Sequence, residues 1–205
     1  MTKKSRAALG FRTHSGWAAV VAVGGSRDAP QVLTRTRIEL ADPEVPESIQ
    51  PYHSASELDI AAAGKFIRRC AAVTKNMARK AVRDVVTQLR GDGHEIVACG
   101  NLLGSGHSPV TLSAALASHP MLHTAEGEFY RNAIDDASHN LRLKLVGIRE
   151  KEIVELGSAM FGITSGKLQR ALTELGKPFG SPWRQDEKLA TLAAWLALAE
   201  NRGRS

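Results

Sequence analysis

Cysteine is scarce: Cys70 and Cys99 are the only two in 205 residues. Two cysteines cannot build a disulfide scaffold, and both fall on segments read below as regular structure, so reduced thiols are expected. Long apolar runs are missing too. The longest early one, Trp17 to Val23, falls far short of the roughly 20 residues that span a bilayer, so no membrane association is expected. The basic opening Met1-Thr2-Lys3-Lys4-Ser5-Arg6 leads into Arg12, His14 and Ser15, which interrupt the apolar region that a signal peptide needs. A cytoplasmic protein is the expectation. Internal repeats, low-complexity tracts and a convincing linker are also absent. The chain therefore reads as one domain over 1–205, with Arg202 and Arg204 in a basic tail, 202–205, expected to be disordered.

Acids are outnumbered. Lys and Arg total 27 against 21 Asp and Glu, a formal charge of +6 at pH 7, which makes a polyanion a reasonable partner. Many mildly basic proteins bind nothing charged, so the distribution of the charge has to decide.

Three strand-like runs open the chain: Ala7 to Phe11, Gly16 to Val23 and Gln31 to Leu40. Short Ser/Gly/Asp/Pro segments join them, as between consecutive hairpin strands. The second run is apolar throughout, which suits a strand buried on both faces. The third alternates Val32, Thr34, Thr36 and Ile38 with Leu33, Arg35, Arg37 and Glu39, which suits an edge. Pro43, Pro46 and Pro51 then deny regular structure from Ala41 to His53. Ser54 or Ser56 caps a helix running to about Leu89, which Gly64 divides in two and Gly91-Asp92-Gly93 ends. His94 to Cys99 reads as a short buried strand and Gly100 to His107 as a loop. Ser108 is expected as N-cap and Pro109 as the first residue of a short helix, Val110 to Ala117. A helix from near Thr124 to about Ser138 and a strand from Leu141 to Ile148 follow. Three helices, Glu150 to Met160, Ser165 to Leu175 and Gln185 to about Asn201, complete the chain.

That order resembles the RNase H-like superfamily, and within it RuvC-type Holliday junction resolvases. Leu9-Gly10-Phe11-Arg12-Thr13-His14-Ser15-Gly16-Trp17-Ala18 is similar to their first strand and turn, and Gln185 to Ala199 to their final helix. The resemblance implies an α/β fold: a mixed sheet of three antiparallel strands followed by parallel ones, with flanking helices and a helical C-terminus. It also implies carboxylates on adjacent strands and on the last helix, because two metal ions on a phosphodiester need several anionic oxygens. Here the first-strand position carries Arg12, a permanent cation that repels a divalent ion. The fourth strand ends Ala98-Cys99-Gly100-Asn101 without an acid. Asp186 and Glu187 alone stand where the family has carboxylates, and capping and the helix dipole are the stronger explanation for acids there. No cofactor is therefore expected, and a divalent metal is the disfavoured alternative.

The segment Lys65 to Arg90 is basic on one side. At about 100° per residue, Lys65, Arg68, Arg69, Lys75, Arg79, Lys80, Arg83 and Arg90 share an arc of roughly 140°. Phe66, Ile67, Cys70, Val73, Met77, Ala81, Val85 and Leu89 occupy the rest. Asp84 is the only acid in the segment, so little pairing within the helix is expected. Such a row suits a phosphate backbone, and a solvated or intramolecularly paired face is the plainer account.

Other groups carry weaker signals. Gly104-Ser105-Gly106 lacks the Lys-Ser/Thr of a phosphate-binding Walker loop. Cys99 is a conceivable nucleophile but more simply a buried thiol. His119 and His123, followed by Glu126 and Glu128, superficially suggest metal ligands, yet Pro120 argues against one continuous helical face. Glu128, Arg131 and Asp135 fall at helical spacing and form either a surface ladder or, if turned toward Arg12, part of a polar site. Trp17, Phe179, Trp183 and Trp195 read as core.

The expected function is nucleic-acid association on an RNase H-like scaffold without standard two-metal nuclease activity. Lys65, Arg68, Arg69, Lys75, Arg79, Lys80 and Arg83 are the expected contacts. One alternative is an enzyme with a non-standard site at the strand ends, using Asp186, Glu187, Glu128 or Cys99. The other is a scaffold whose basic helix docks an acidic protein.

Overall fold

The computed structural model describes residues 4–104 and 111–201. Strands β1 (Ser5–His14), β2 (Trp17–Gly25) and β3 (Pro30–Glu39) form the expected meander. After a 3-10 turn come α1 (Pro51–Ala55), α2 (Ile60–Gly91) and β4 (His94–Leu103). Then follow α3 (Leu112–Leu116), α4 (His119–Asn140), β5 (Lys144–Arg149), α5 (Ile153–Phe161), α6 (Ser165–Gly176) and α7 (Gln185–Glu200). The sheet order is β3-β2-β1-β4-β5. β1–β2 and β2–β3 are antiparallel, whereas β1–β4 and β4–β5 are parallel. This is an RNase H-like α/β fold, with β3 at the edge that its alternating polarity required.

Strand alternation divides the core into two. Leu9, Phe11, Val20 and Ala22 face α2 and α4, packing on Val82, Val86, Tyr130 and Ile134. Ala8, Val21, Val23 and Ala98 face the opposite way, toward Leu168 and Leu172 of α6 and the buried stretch Leu189–Leu198 of α7. α7 lies unusually close to the strands. A Cβ at Gly10 would come 1.9 Å from the Ala190 carbonyl oxygen, and one at Gly100 would come 2.3 Å from that of Ala193. The missing side chains therefore let helix backbone rest on strand backbone, which sets the first turn of α7 beside the end of β1.

Several expected boundaries move for identifiable reasons. The long helix starts at Ile60, because the Asp59 carboxylate accepts from the Ala61 and Ala62 amides at 3.0 and 2.9 Å; the Ser54–Ser56 stretch belongs instead to the short α1 and its end. Gly64 does not divide α2; it is buried where a Cβ would meet Leu112 of α3 at 3.3 Å. Val73, assigned to the apolar side, is exposed, and Thr74 is buried in its stead. β4 extends to Leu103, so Gly100 to Leu103 is strand and not loop. α4 begins at His119, five residues before Thr124. Pro120 lies in its first turn, where the amide it lacks would have had no helical partner. Ser108, Pro109 and Val110, the residues Ser105 to His107, and the 202–205 tail lie outside the described residues. Thr111 caps α3, its hydroxyl accepting from the Ala114 amide at 3.1 Å.

Candidate functional site

Because β1, β4 and β5 run parallel, their carboxyl ends share one edge of the sheet, where open α/β folds gather ligand-binding groups. β1 delivers Arg12 and His14 there, the residue after β5 is Glu150, and the first turn of α7 supplies Asp186. Arg12 Nη2 lies 3.1 Å from Glu150 Oε2, and its Nε lies 3.9 Å from Asp186 Oδ1. His14 Nε2 is 3.0 Å from the same Asp186 oxygen. The His14 ring stacks on Trp17 at 4.3 Å, and the Arg37 guanidinium covers the same indole at 4.2 Å. Two clefts flank the Arg12–Asp186 contact. One, of about 430 Å3, is lined by Arg12, Arg131, Glu150 and Lys151; the other, of about 510 Å3, by Trp17, Arg35, Arg37, Arg184 and Asp186.

A second layer supports the first. Asn101 on β4 is fully buried and donates from Nδ2 to Asp135 Oδ1 at 2.7 Å and to the Arg131 carbonyl at 3.2 Å. Its Oδ1 has no partner among the described residues. Burial pushes the Asp135 carboxyl above the ordinary aspartate value, and the Asn101 hydrogen bond opposes that shift. Desolvation lowers Arg131 from the usual arginine value while the nearby charge of Glu128 raises it. The α4 row Glu128, Arg131 and Asp135 is thus no simple surface ladder: Asp135 reaches β4, and Arg131 lines the cleft beside Arg12.

The candidate catalytic residues separate. Asp186 is at the cleft. Glu187 is engaged in capping, its carboxylate accepting from the Arg184 amide at 2.7 Å. Glu128 is near enough to Arg131 for its charge to oppose the desolvation there. Cys99 is fully buried on β4, and burial pushes its thiol up to about 12, so it stays protonated at neutral pH.

α2 carries the basic row, less free than its sequence implied. Arg79 donates from Nε to Asp136 Oδ2 on α4 at 2.6 Å, and Lys75 lies 3.7 Å from the same carboxylate. Lys80 pairs with Asp84 one turn on, at 3.0 Å. The Arg69 guanidinium sits 5.8 Å from the Phe66 ring centroid. Lys65, Arg68, Arg69 and Arg83 are exposed, with no carboxylate within 4.0 Å among the described residues. Asp136 escaped notice because it belongs to another helix, which a search for acids within the segment cannot reach.

His14, Trp17 and Glu150 were also missed as site residues. Trp17 looked like core because it follows an apolar pattern; it instead starts β2 at the rim, half exposed between His14 and Arg37. The signal for Glu150 was only its place directly after a strand.

No protein-family model matches the sequence, and no curated protein matches it. Among solved structures, the chain is similar to RuvC of Thermus thermophilus, at 8% identity and a TM-score of 0.57, covering 96% of each chain. It is also similar to T. thermophilus RuvC in complex with a Holliday junction substrate, at 9% identity and a TM-score of 0.58, covering 98% of each. These likenesses support the RNase H-like fold. At such identity they carry no residue's role across. Among the described residues, no helix is long and apolar enough to cross a membrane.

Proposed function

We propose that this protein binds nucleic acid through the exposed face of α2 and does not perform standard two-metal phosphodiester hydrolysis. The observation that carries the first half is the set Lys65, Arg68, Arg69 and Arg83, exposed along one side of a 32-residue helix and unneutralised by any described carboxylate. Lys75, Arg79 and Lys80 add charge to the same side even though Asp136 and Asp84 partly balance them. Side chains of this kind displace counterions from phosphates without reading bases, so affinity should be sequence-independent and fall steeply with salt. The RuvC complex with a Holliday junction favours nucleic acid over an acidic protein as the partner class.

The second half rests on Arg12. Glu150 and Asp186 come from different elements and line the clefts on either side of Arg12, whose guanidinium lies against both. A fixed positive charge there satisfies the two carboxylates and opposes divalent cations, so the residues present do not fit a metal pair.

The test is binding of duplex and branched DNA, and of RNA, to the parent chain and to Arg68→Glu/Arg69→Glu/Arg83→Glu across a salt series. Steep salt dependence and loss of binding in the folded variant are expected; unchanged binding would sink the assignment. A second reading, catalysis at the strand ends, draws on the His14–Asp186 pair, which has the imidazole–carboxylate arrangement of a general acid or base. Phosphodiester cleavage abolished by His14→Ala, with DNA binding retained, would favour it.

A further inference from the structure

Away from the strand ends, three histidines meet where α1 packs on the start of α4. His53 comes from α1, while His119 and His123 occupy successive turns of α4. One nitrogen from each lies within 4.8 Å of the others, and His119 Nε2 and His123 Nε2 are 2.8 Å apart. The rings cross instead of stacking: 84° between His119 and His123, 81° between His53 and His119, and 59° between His53 and His123.

The buried side of the cluster separates a ligand set from a chance gathering of imidazoles. Glu126, 1% exposed, accepts at Oε2 from the Tyr52 amide at 3.2 Å, and the same oxygen lies 3.1 Å from His53 Nδ1. A neutral His53 that donates to this oxygen from Nδ1 has its lone pair on Nε2. That Nε2 is buried and has no hydrogen-bond partner among the described residues. A hydrogen bond between His119 and His123 accounts for those two rings and leaves His53 Nε2 unexplained. A carboxylate behind a histidine whose far nitrogen faces a cation is the usual way proteins orient imidazole ligands.

We propose that His53, His119 and His123 bind a single divalent first-row transition ion, zinc by preference, with Glu126 orienting His53. Three neutral imidazoles suit zinc's tetrahedral coordination and leave a fourth position toward solvent, because His119 and His123 are exposed. Ligand nitrogens around tetrahedral zinc stand about 3.3 Å apart, so His119 and His123 would separate by a fraction of an ångström while the wider spacing, up to 4.8 Å, would close by about 1.5 Å. The ion would tie the proline-rich crossing segment to α4, which Tyr130 already holds there by donating to the carbonyls of Ser48 and Ile49. The site is independent of the nucleic-acid reading.

The experiment uses the untagged full chain, stripped with chelator and titrated with Zn2+ against a chromophoric competitor, and separately with Co2+. One equivalent of Zn2+ per chain is expected, with the intense visible bands of a tetrahedral Co2+ adduct. His123→Gln, at an exposed position, should weaken binding by about 100-fold, and Glu126→Gln by about 10-fold, with the fold intact by circular dichroism. Substoichiometric uptake, an octahedral Co2+ spectrum, or zinc affinity unchanged in His123→Gln would overturn the site. DNA binding by α2 is measured on the same stripped protein, so failure of one proposal does not mimic failure of the other.

Discussion

Arg12 Nη2 stands 3.1 Å from Glu150 Oε2 across the carboxyl edge of the sheet, and the same guanidinium reaches toward Asp186. One cation thus holds two acids contributed by elements far apart in sequence. Replacing it tests what it does. Arg12→Ala should destabilise by about 1 kcal/mol, because the pair is only partly shielded from water. Arg12→Asp should do more than destabilise: it puts a third carboxylate beside Glu150 and Asp186. Titration calorimetry should then register Mn2+ binding at least about 10-fold tighter than in the parent chain. Indistinguishable Mn2+ affinity in the two proteins would mean that Arg12 is not what keeps divalent ions out.

Gly100→Ala probes the contact between α7 and β4. The added Cβ meets backbone, the Ala193 carbonyl, which cannot rotate away as a side chain would. A loss of about 3 kcal/mol by denaturant unfolding is expected, with no loss or a small gain for Gly91→Ala, a helical position where a Cβ meets nothing within 4 Å. Equal effects at the two glycines would show that α7 is not seated as tightly as described.

Asp136 gives stability a pH dependence of known sign. The Arg79 hydrogen bond, first among several causes, holds its carboxyl below the ordinary aspartate value. An acid whose pKa is lower folded than unfolded stabilises the fold above the unfolded value, and the contribution is lost as pH falls through the folded one. Asp136→Asn should therefore lower the melting temperature near about pH 6 yet have little effect near about pH 2, below the usual aspartate range. A deficit that persists undiminished in acid would assign the effect to packing instead of charge.

Much of the fold could be read from hydrophobic pattern alone. The apolar run from Trp17 to Val23 located a strand buried on both faces, and the alternation from Gln31 onward located the edge, because burial follows side-chain direction with period two. Boundaries failed where one residue's local chemistry outweighed periodicity: Asp59 rather than a serine starts α2, and Pro120 sits harmlessly in the first turn of α4. The strand-end cluster was only half legible. Arg12, Asn101 and Asp186 stood out through resemblance and Asp135 through helical spacing, but the orientation of α4 and the place of Glu150 became visible only when parallel strands brought residues dozens of positions apart within reach. The Asp136 partners of α2 were hidden for the same reason, and His53 even more so, since nothing near it in sequence hints at two further imidazoles.

The glycine-spaced seat of α7 separates architecture from chemistry. Gly10 and Gly100 fix how near the helix comes to the strands, while the groups that meet at the rim, Arg12 on β1 and Asp186 on α7, lie beyond that contact. Substitutions at the rim would therefore alter the groups that meet there without adding atoms to that backbone contact. A scaffold arranged in this way can gain or lose an activity without first having to refold.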